Sequence, residues 1–298
     1  MVDSGLRARR ALMYVPGSEQ HKLEKAASLG IDGVILDLED GVAFNRKDEA
    51  RGIIRQALES INYGRTERLV RINPVSSGRA ESDLQAVLPG RPDGVVIPKA
   101  DSAQIVHTVD EIITRTEKEQ GWKEGGIALA LLIETAKAFI HLAEICQASR
   151  RTQVLIFGAE DLCADTGIIR TVEARELLYA RSALVMNAAA FGLQAIDMVQ
   201  IHYRDIDLLE KECQEALELG FSGKTVVHPS QIETVQRIFT PDESQVSYAR
   251  RVVEGARDAQ IAGSGVFTLD GKLVDLPVVK RAESILARAR AAGITIPD

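Results

Sequence analysis

The chain has 298 residues, 45% hydrophobic and 27% charged, with 43 acidic against 36 basic side chains and a formal net charge of -7. Such a length buries roughly 75% of the unfolded surface in one large core, and the acidic surplus argues against a nucleic-acid partner while leaving room for local basic groups that hold an anionic ligand. The apolar runs fall well short of the ~18 residues of a membrane span, and Cys146, Cys163 and Cys213 are odd in number without a Cys-x-x-Cys spacing, which excludes a disulfide framework or zinc site; the expected compartment is the cytoplasm, with no membrane partner.

Along the chain, apolar β-branched runs alternate with helix-period segments, the pattern of βαβ units rather than hairpins. The runs span residues 11–15, 33–38, 69–72, 94–97, 127–133, 154–157, 195–201 and 225–227. Eight units predict an α/β fold of the closed (β/α)8 TIM-barrel type over residues 1–240; a doubly wound sheet is the competitor, but no Gly-x-Gly-x-x-Gly fingerprint opens a helix after the first strand. Ser18 is a candidate cap for a helix to Leu29, Asp101 for one to Lys118, and Thr171 for one to Ala190, while Gly30 and Gly220 stop helices. Residues 241–298 then read as a helix–hairpin–helix extension: a polar helix from Asp242 to Ile261, a hairpin turning at Asp270-Gly271, and a last helix from Pro277 to Ala292.

Polar residues gather where the strands stop, which in a barrel of this kind is the catalytic face. The run 127–133 ends on Glu134, and the run 154–157 passes through Gly158, Ala159 and Glu160 to Asp161. Neighbouring strands lie about 4.8 Å apart, so carboxylates at adjacent strand ends can share one hard cation, and oxygen-only ligation favours magnesium, with manganese as the substitute. Arg71 stands at another strand end, placed for a carboxylate or a developing oxyanion, although a structural ion pair would explain it equally. Lys99 also ends a strand and raises a different chemistry, a Schiff-base aldolase, provided its pKa is depressed.

The motifs YVPGS (14–18), LDLEDG (36–41), VRIN (70–73), IPK (97–99), IET (133–135), FGAEDL (157–162), GK (223–224) and HP (228–229) together resemble the citrate lyase β-subunit-like branch of the acyl-CoA lyases in the HpcH/HpaI aldolase superfamily, over nearly the whole chain. The resemblance implies a magnesium-dependent lyase, usually a homotrimer, that cleaves a 3-hydroxyacyl-CoA of the malyl- or citramalyl-CoA type to acetyl-CoA and a 2-keto acid. Carried over by residue, it makes Glu134 and Asp161 the metal ligands and puts Glu39 and Asp40 around the ion's waters. Arg71 falls against the substrate oxygen, with Gly158, Ala159 and Glu160 beside the substrate. Lys25, helped by Lys22, falls where coenzyme A phosphates bind, with Lys47 in a second basic loop. Asp275, in the extension, is expected to fold over the barrel mouth of a neighbouring subunit and move the proton at the acetyl carbon; a plain reading makes it the cap of the last helix. His202 stands where several relatives carry an aspartate. A β-subunit that works only with an acyl carrier protein, and a non-catalytic CoA-binding barrel, are the competing readings.

Overall fold

Eight short aliphatic strands lie parallel and close on themselves in sequence order, the last pairing with the first. The computed structural model describes residues 7–296, so the extreme ends of both expected domains, residues 1–6 and 297–298, lie outside the described residues. β1 (Ala11–Pro16) leads to α1 (Gln20–Ala26), β2 (Gly33–Asp37) to α2 (Lys47–Ser60), β3 (Glu67–Arg71) to α3 (Ala80–Val87), and β4 (Gly94–Ile97) to α4 (Ala103–Glu119). β5 (Ala128–Ile133) is followed by α5 (Ala136–Ile140) and α6 (Leu142–Gln147), β6 (Thr152–Phe157) by α7 (Ala159–Thr166) and α8 (Leu178–Ala190), β7 (Gln194–Asp197) by α9 (Ile206–Leu219), and β8 (Gly223–Val226) by α10 (Ile232–Phe239). This is the (β/α)8 barrel expected from the repeats. No helix among the described residues is long and apolar enough to cross a membrane.

Strand side chains alternate between faces, so every second residue points into the barrel. The interior is filled by Leu12, Ile35, Leu69, Val96, Ala130, Leu132, Val154, Ile156 and Ile196, all nearly or fully buried, with Tyr14 packed on top. Each fully buried aliphatic chain contributes about 1.5–3 kcal/mol. At the N-terminal ends of the strands, Arg9 forks onto Glu67 at 2.6 and 2.7 Å and reaches Gln153 at 2.8 Å, tying β3 to β6 through buried charge.

The boundaries differ from the sequence reading where side chains replace ladder bonds. β7 stops at Asp197 rather than running to residue 201. Asp197 points away from the barrel interior, fully buried between Arg181 (2.9 Å) and Lys224 (3.2 Å); beyond it Gln200 and Gln231 bond each other at 3.1 Å. β8 ends before Val227, whose N–H donates to the Gln231 side chain at 3.0 Å. Ser18 and Asp101 do not cap: α1 starts after Glu19 and α4 after Ser102, and Asp101 instead accepts from Lys137 Nζ at 3.1 Å. Thr171 does not open a helix either, because its N–H and hydroxyl both donate to Glu176 and Ala174 turns left-handed (φ 49°) before α8 begins.

The chain divides into two compact units, residues 9–236 and a second made chiefly of residues 237 onward. In the latter, α11 (Glu243–Ile261) starts with a reciprocal capping box between Asp242 and Gln245. β9 (Phe267–Leu269) and β10 (Lys272–Val274) form the expected hairpin, with positive φ at Asp270 and Gly271 as a type I′ turn requires. α12 (Leu276–Ala291) begins at Asp275, whose carboxylate accepts from Val278 N at 3.3 Å, the capping role the plain reading gave it. Val246, Ala249, Val252, Val274, Ala282, Leu286 and Ala289 form this unit's own core.

Candidate active site

The mouth follows from the period of two. Continuing each inward row one step past the core layer leads from Leu12 to Tyr14, from Ile35 to Asp37, from Leu69 to Arg71, from Leu132 to Glu134 and from Ile156 to Gly158. The same fold that packs aliphatic chains inside therefore aims a polar set at the C-terminal opening. Strand register places Asp37 directly opposite Arg71.

Arg71 is held on two edges and one face. Its Nε and Nη2 donate to the two Asp37 oxygens at 2.7 and 2.6 Å, while Nη1 lies 2.8 Å from Glu39 Oε2 and 3.7 Å from Asp40. The Tyr14 ring lies below it, 4.8 Å from centroid to guanidinium carbon. Burial pulls the guanidinium pKa down, but the Asp37 bonds and charge outweigh it and the net shift is upward. The Nε/Nη2 fork is thus taken by Asp37, and the Nη1 edge, which makes no aligned hydrogen bond, faces the Glu39 and Asp40 carboxylates. Asp37 also accepts from the N–H groups of Glu39 and Gly41 at 2.8 Å each. A Cβ at position 41 would come within 2.5 Å of an Asp37 oxygen, so any side chain there would displace the carboxylate that holds Arg71.

Glu134 is 1% exposed. Its Oε1 accepts from the backbone N–H of Lys99 at 2.8 Å, and a Cβ on Gly158 would strike its Oε2 at 2.7 Å. Burial, then the charges of Asp161 and Glu39, push the Glu134 carboxyl up to about 8. Burial, with Asp40 and Asp37 adding to it against Arg71, raises Glu39 to about 7. Glu39 Oε2 is buried with no hydrogen-bond partner; the nearby Arg71 Nη1 meets it as an ion pair without hydrogen-bond alignment. Asp161 stands in the first turn of α7, where the helix N-terminus favours an anion, and faces Lys99 Nζ at 3.6 Å.

Arg71 and Asp37 cancel each other, and Lys99, with Lys47 near Glu39 and Asp40, then faces Glu39, Asp40, Glu134 and Asp161. Negative charge in excess, partly buried and all oxygen, is the donor chemistry of a hard divalent cation. The oxygen donors present at the mouth suit the chemistry of magnesium or manganese.

Other expected residues fall differently. Glu160 pairs with Arg170 at 3.1 Å. Lys47 donates to the Leu38 and Glu39 carbonyls at 2.8 and 2.9 Å, so it fastens the loop after β2 instead of presenting a free ammonium to phosphate. Lys22 and Lys25 stand exposed on α1 with no ion-pair partner among the described residues. His202 is exposed in the loop after β7, beyond the shortened strand. Burial lowers the Lys99 ammonium pKa, but Asp161, Glu39, Glu134 and Asp40 raise it further, so the Schiff-base reading lacks the depressed amine it needs. Cys163 is 7% exposed and burial raises its thiol pKa, the state of an inert cysteine. The sequence reading gave no role to Asp37 or Tyr14; the signal that finds both is the two-residue step beyond the interior core.

The HpcH/HpaI aldolase/citrate lyase family profile matches residues 10–229. The chain is 38% identical over 291 residues to the mitochondrial citramalyl-CoA lyase of Mus musculus, covering 94% of this chain and 86% of that protein. It is 36% identical over 288 residues to the citrate lyase subunit beta of Escherichia coli (strain K12), covering 97% and 95%. Among solved structures, protein CitE from Mycobacterium tuberculosis, in complex with magnesium, acetoacetate and coenzyme A, superposes with a TM-score of 0.75 at 33% identity, covering 94% of this chain and 97% of that one. The chain therefore belongs to the HpcH/HpaI aldolase/citrate lyase family of carbon–carbon lyases.

Proposed function

We propose that the chain is a magnesium-dependent lyase that cleaves a 3-hydroxyacyl-CoA of the citramalyl- or malyl-CoA type to acetyl-CoA and a 2-keto acid, working as a homotrimer. The observation that carries this reading is the buried Glu134 just past the end of β5, whose carboxyl feels the charges of Asp161 in the first turn of α7 and of Arg71 at the end of β3. The relatives named above, a citramalyl-CoA lyase and a CitE structure with magnesium and coenzyme A, support it.

Glu134 and Asp161 would hold the magnesium or manganese, which when bound supplies Lewis-acid polarisation of the substrate's carbinol and carboxylate oxygens. Arg71 offers its Nη1 edge to the oxygen that gains charge as the carbinol becomes a carbonyl. The hydroxyl gives its proton to a water of the open mouth, the bond from the carbinol carbon to the acyl α-carbon breaks, the electron pair passes to the thioester enolate, and Asp275 enters the step protonated, regaining its proton from solvent afterwards. Asp275 of a neighbouring subunit protonates that carbon to give acetyl-CoA, and accepts the proton in the reverse condensation. Glu39 and Asp40 would face the cation's waters, Gly158, Ala159 and Glu160 would border the substrate, and Lys25 and Lys22 would take the coenzyme A phosphates. Assays of citramalyl-, malyl- and citryl-CoA with the isolated protein test this: cleavage of one of them supports it, and cleavage of none contradicts it. The comparable similarity to a citrate lyase β subunit favours a second reading, in which the thioester is carried on an acyl carrier protein. Turnover seen only with the carrier-bound citryl thioester would select it.

Two further results are expected. A raised carboxyl pKa means that the folded protein keeps a proton the unfolded chain has already lost. Without cation, stability therefore falls as pH rises from 4.5 towards about 8 at Glu134, and towards about 7 at Glu39. A cation replaces those protons, so the magnesium-induced rise in melting temperature should grow between pH 6 and pH 8.5; a rise that is flat or shrinks over that range would contradict the assignment. Asp275→Asn should fold and bind magnesium and coenzyme A but not turn over. Glu134→Ala and Asp275→Ala, unfolded and reassembled together, should recover about a quarter of the wild-type sites on random mixing. Verified hybrid oligomers as inactive as either parent would remove Asp275 from its neighbour's site.

A further inference from the structure

At the end of the barrel opposite the mouth, where β3, β4 and β5 begin, a cavity of about 450 Å³ lies between Arg68, Arg91, Asp93, Glu117, Trp122 and Lys123. That volume suits a small organic ligand. The buried Pro92 and Ile127 supply apolar lining, while Arg91 and Lys123 are exposed and Trp122 is half-buried.

The carboxylates here are already matched. Asp93 accepts from Arg68 N and Nε at 2.8 and 3.1 Å. Glu117 accepts from Arg151 Nη1 and Nη2 at 2.9 and 2.6 Å, and from the N–H groups of Gly125, Gly126 and Ile127 at 2.9, 3.0 and 3.1 Å. Two cations of the lining are not matched: Arg91 and Lys123 have no carboxylate partner among the described residues. The Arg91 guanidinium lies instead over the Trp122 ring, 4.7 Å from its centroid. Two flat groups are thus stacked at the cavity, and the guanidinium edges make no hydrogen bond among the described residues.

The backbone adds a second observation. Arg91 ends the turn of residues 88–90 in the left-handed region, at φ 52° and ψ 63°, a conformation that glycine adopts without strain and a long side chain does not. Its carbonyl accepts from Arg68 Nη2 at 2.9 Å, which holds the turn in place. The chain therefore carries an arginine where glycine is cheaper, with a head group that meets an aromatic face and no acid. Strain of this kind, kept where the surroundings fix it, is a mark of ligand sites.

We propose that this cavity binds an organic anion, with a planar ring lying against the Arg91–Trp122 stack and a phosphate or carboxylate group held by Arg91 and Lys123. The guanidinium supplies a flat face and a fork, and the ammonium a point charge. Arg71 and Glu134 stand at the other ends of β3 and β5, so the site is separate from the lyase chemistry and does not rest on it.

Trp122 is the chain's single tryptophan, so its fluorescence reports on this cavity. Titration with uridine monophosphate, phthalate, uridine and inorganic phosphate separates ring from charge. A saturable change is expected with at least one ring-bearing anion, at concentrations about tenfold or more below those needed for uridine or phosphate. A response to uridine monophosphate alone assigns a phosphate ligand, and to phthalate alone a carboxylate. Arg91→Gly removes the guanidinium and relieves the left-handed backbone, so the variant should melt within a few degrees of wild type and bind the effective probe roughly tenfold more weakly. Lys123→Met should weaken it by a smaller factor. No saturable change with either ring-bearing anion overturns the site, as does unchanged affinity in Arg91→Gly. A response to inorganic phosphate as strong as to uridine monophosphate also overturns it, since the ring would then contribute nothing. A large fall in the melting temperature of Arg91→Gly would make the Arg91–Trp122 stack a structural contact and overturn it likewise.

Discussion

Glu134→Ala and Asp161→Ala are each expected to abolish turnover. A carboxylate that helps to hold a catalytic cation supports several kcal/mol of transition-state stabilisation, on the order of a thousandfold or more in rate. Glu134 is buried with its carboxyl raised to about 8, so the site carries charge that the fold alone disfavours. Glu134→Gln separates the chemistry from the packing. The amide oxygen can still accept from Lys99 N, as Oε1 does at 2.8 Å, whereas alanine strands that donor at a cost of about 1–3 kcal/mol. The glutamine variant should therefore melt at or above the metal-free wild type at pH 8.5, lose the stabilisation by magnesium, and remain inactive. Asp161, more exposed and facing Lys99 at 3.6 Å, should be replaceable without loss of fold. Full activity in either alanine variant, or a glutamine variant that still gains stability from magnesium, would contradict these roles.

Arg71→Ala should lose roughly 3 kcal/mol or more of transition-state stabilisation, the scale of removing one oxyanion donor from a preorganised site. Two effects combine in that loss. The Nη1 edge disappears from the mouth, and Asp37 and Glu39, 2% and 4% exposed, lose the cation that compensates them; breaking a buried pair costs about 3–5 kcal/mol of stability. Arg71→Lys should rescue poorly, since one ammonium cannot bond both Asp37 oxygens and also face the substrate. Asp37→Asn provides the control: Arg71 keeps its charge but loses the carboxylate that orients it, and kcat should fall more than coenzyme A affinity. Steady-state kinetics below each variant's melting transition measure the effect. Near-normal kcat in Arg71→Lys would show that geometry at this position is unimportant.

The eight units were legible because each strand is a short β-branched run and each run is followed by a helix-period segment; the closed order of the sheet agrees with that count. The Asp270-Gly271 hairpin was legible for a local reason, the positive φ at both turn residues. Strand ends were harder to read. The apolar run after Gln194 continues past Asp197, but Arg181 and Lys224 draw the Asp197 carboxylate to the outside of the barrel, and ion pairs between distant segments leave no periodic trace. Caps failed for a similar reason: Asp101 is drawn to Lys137, and Thr171 to Glu176, by partners the local pattern does not name. In the mouth, composition singled out Glu134, Asp161 and Arg71 as charges at strand ends. It missed that Asp37 occupies the Arg71 fork, because that pairing depends on the strand register that sets the two residues opposite each other.

The most direct measurement is product analysis after metal removal. The protein is treated with a chelator, assayed on citramalyl-, malyl- and citryl-CoA, and assayed again after magnesium is restored, with acetyl-CoA, free coenzyme A and the 2-keto acid quantified separately. The expected result is no cleavage without the cation and, with it, equal amounts of acetyl-CoA and one 2-keto acid from a preferred substrate. Cleavage that persists after exhaustive chelation, or free coenzyme A appearing in place of acetyl-CoA and keto acid, would contradict a magnesium-dependent carbon–carbon lyase built on Glu134 and Asp161.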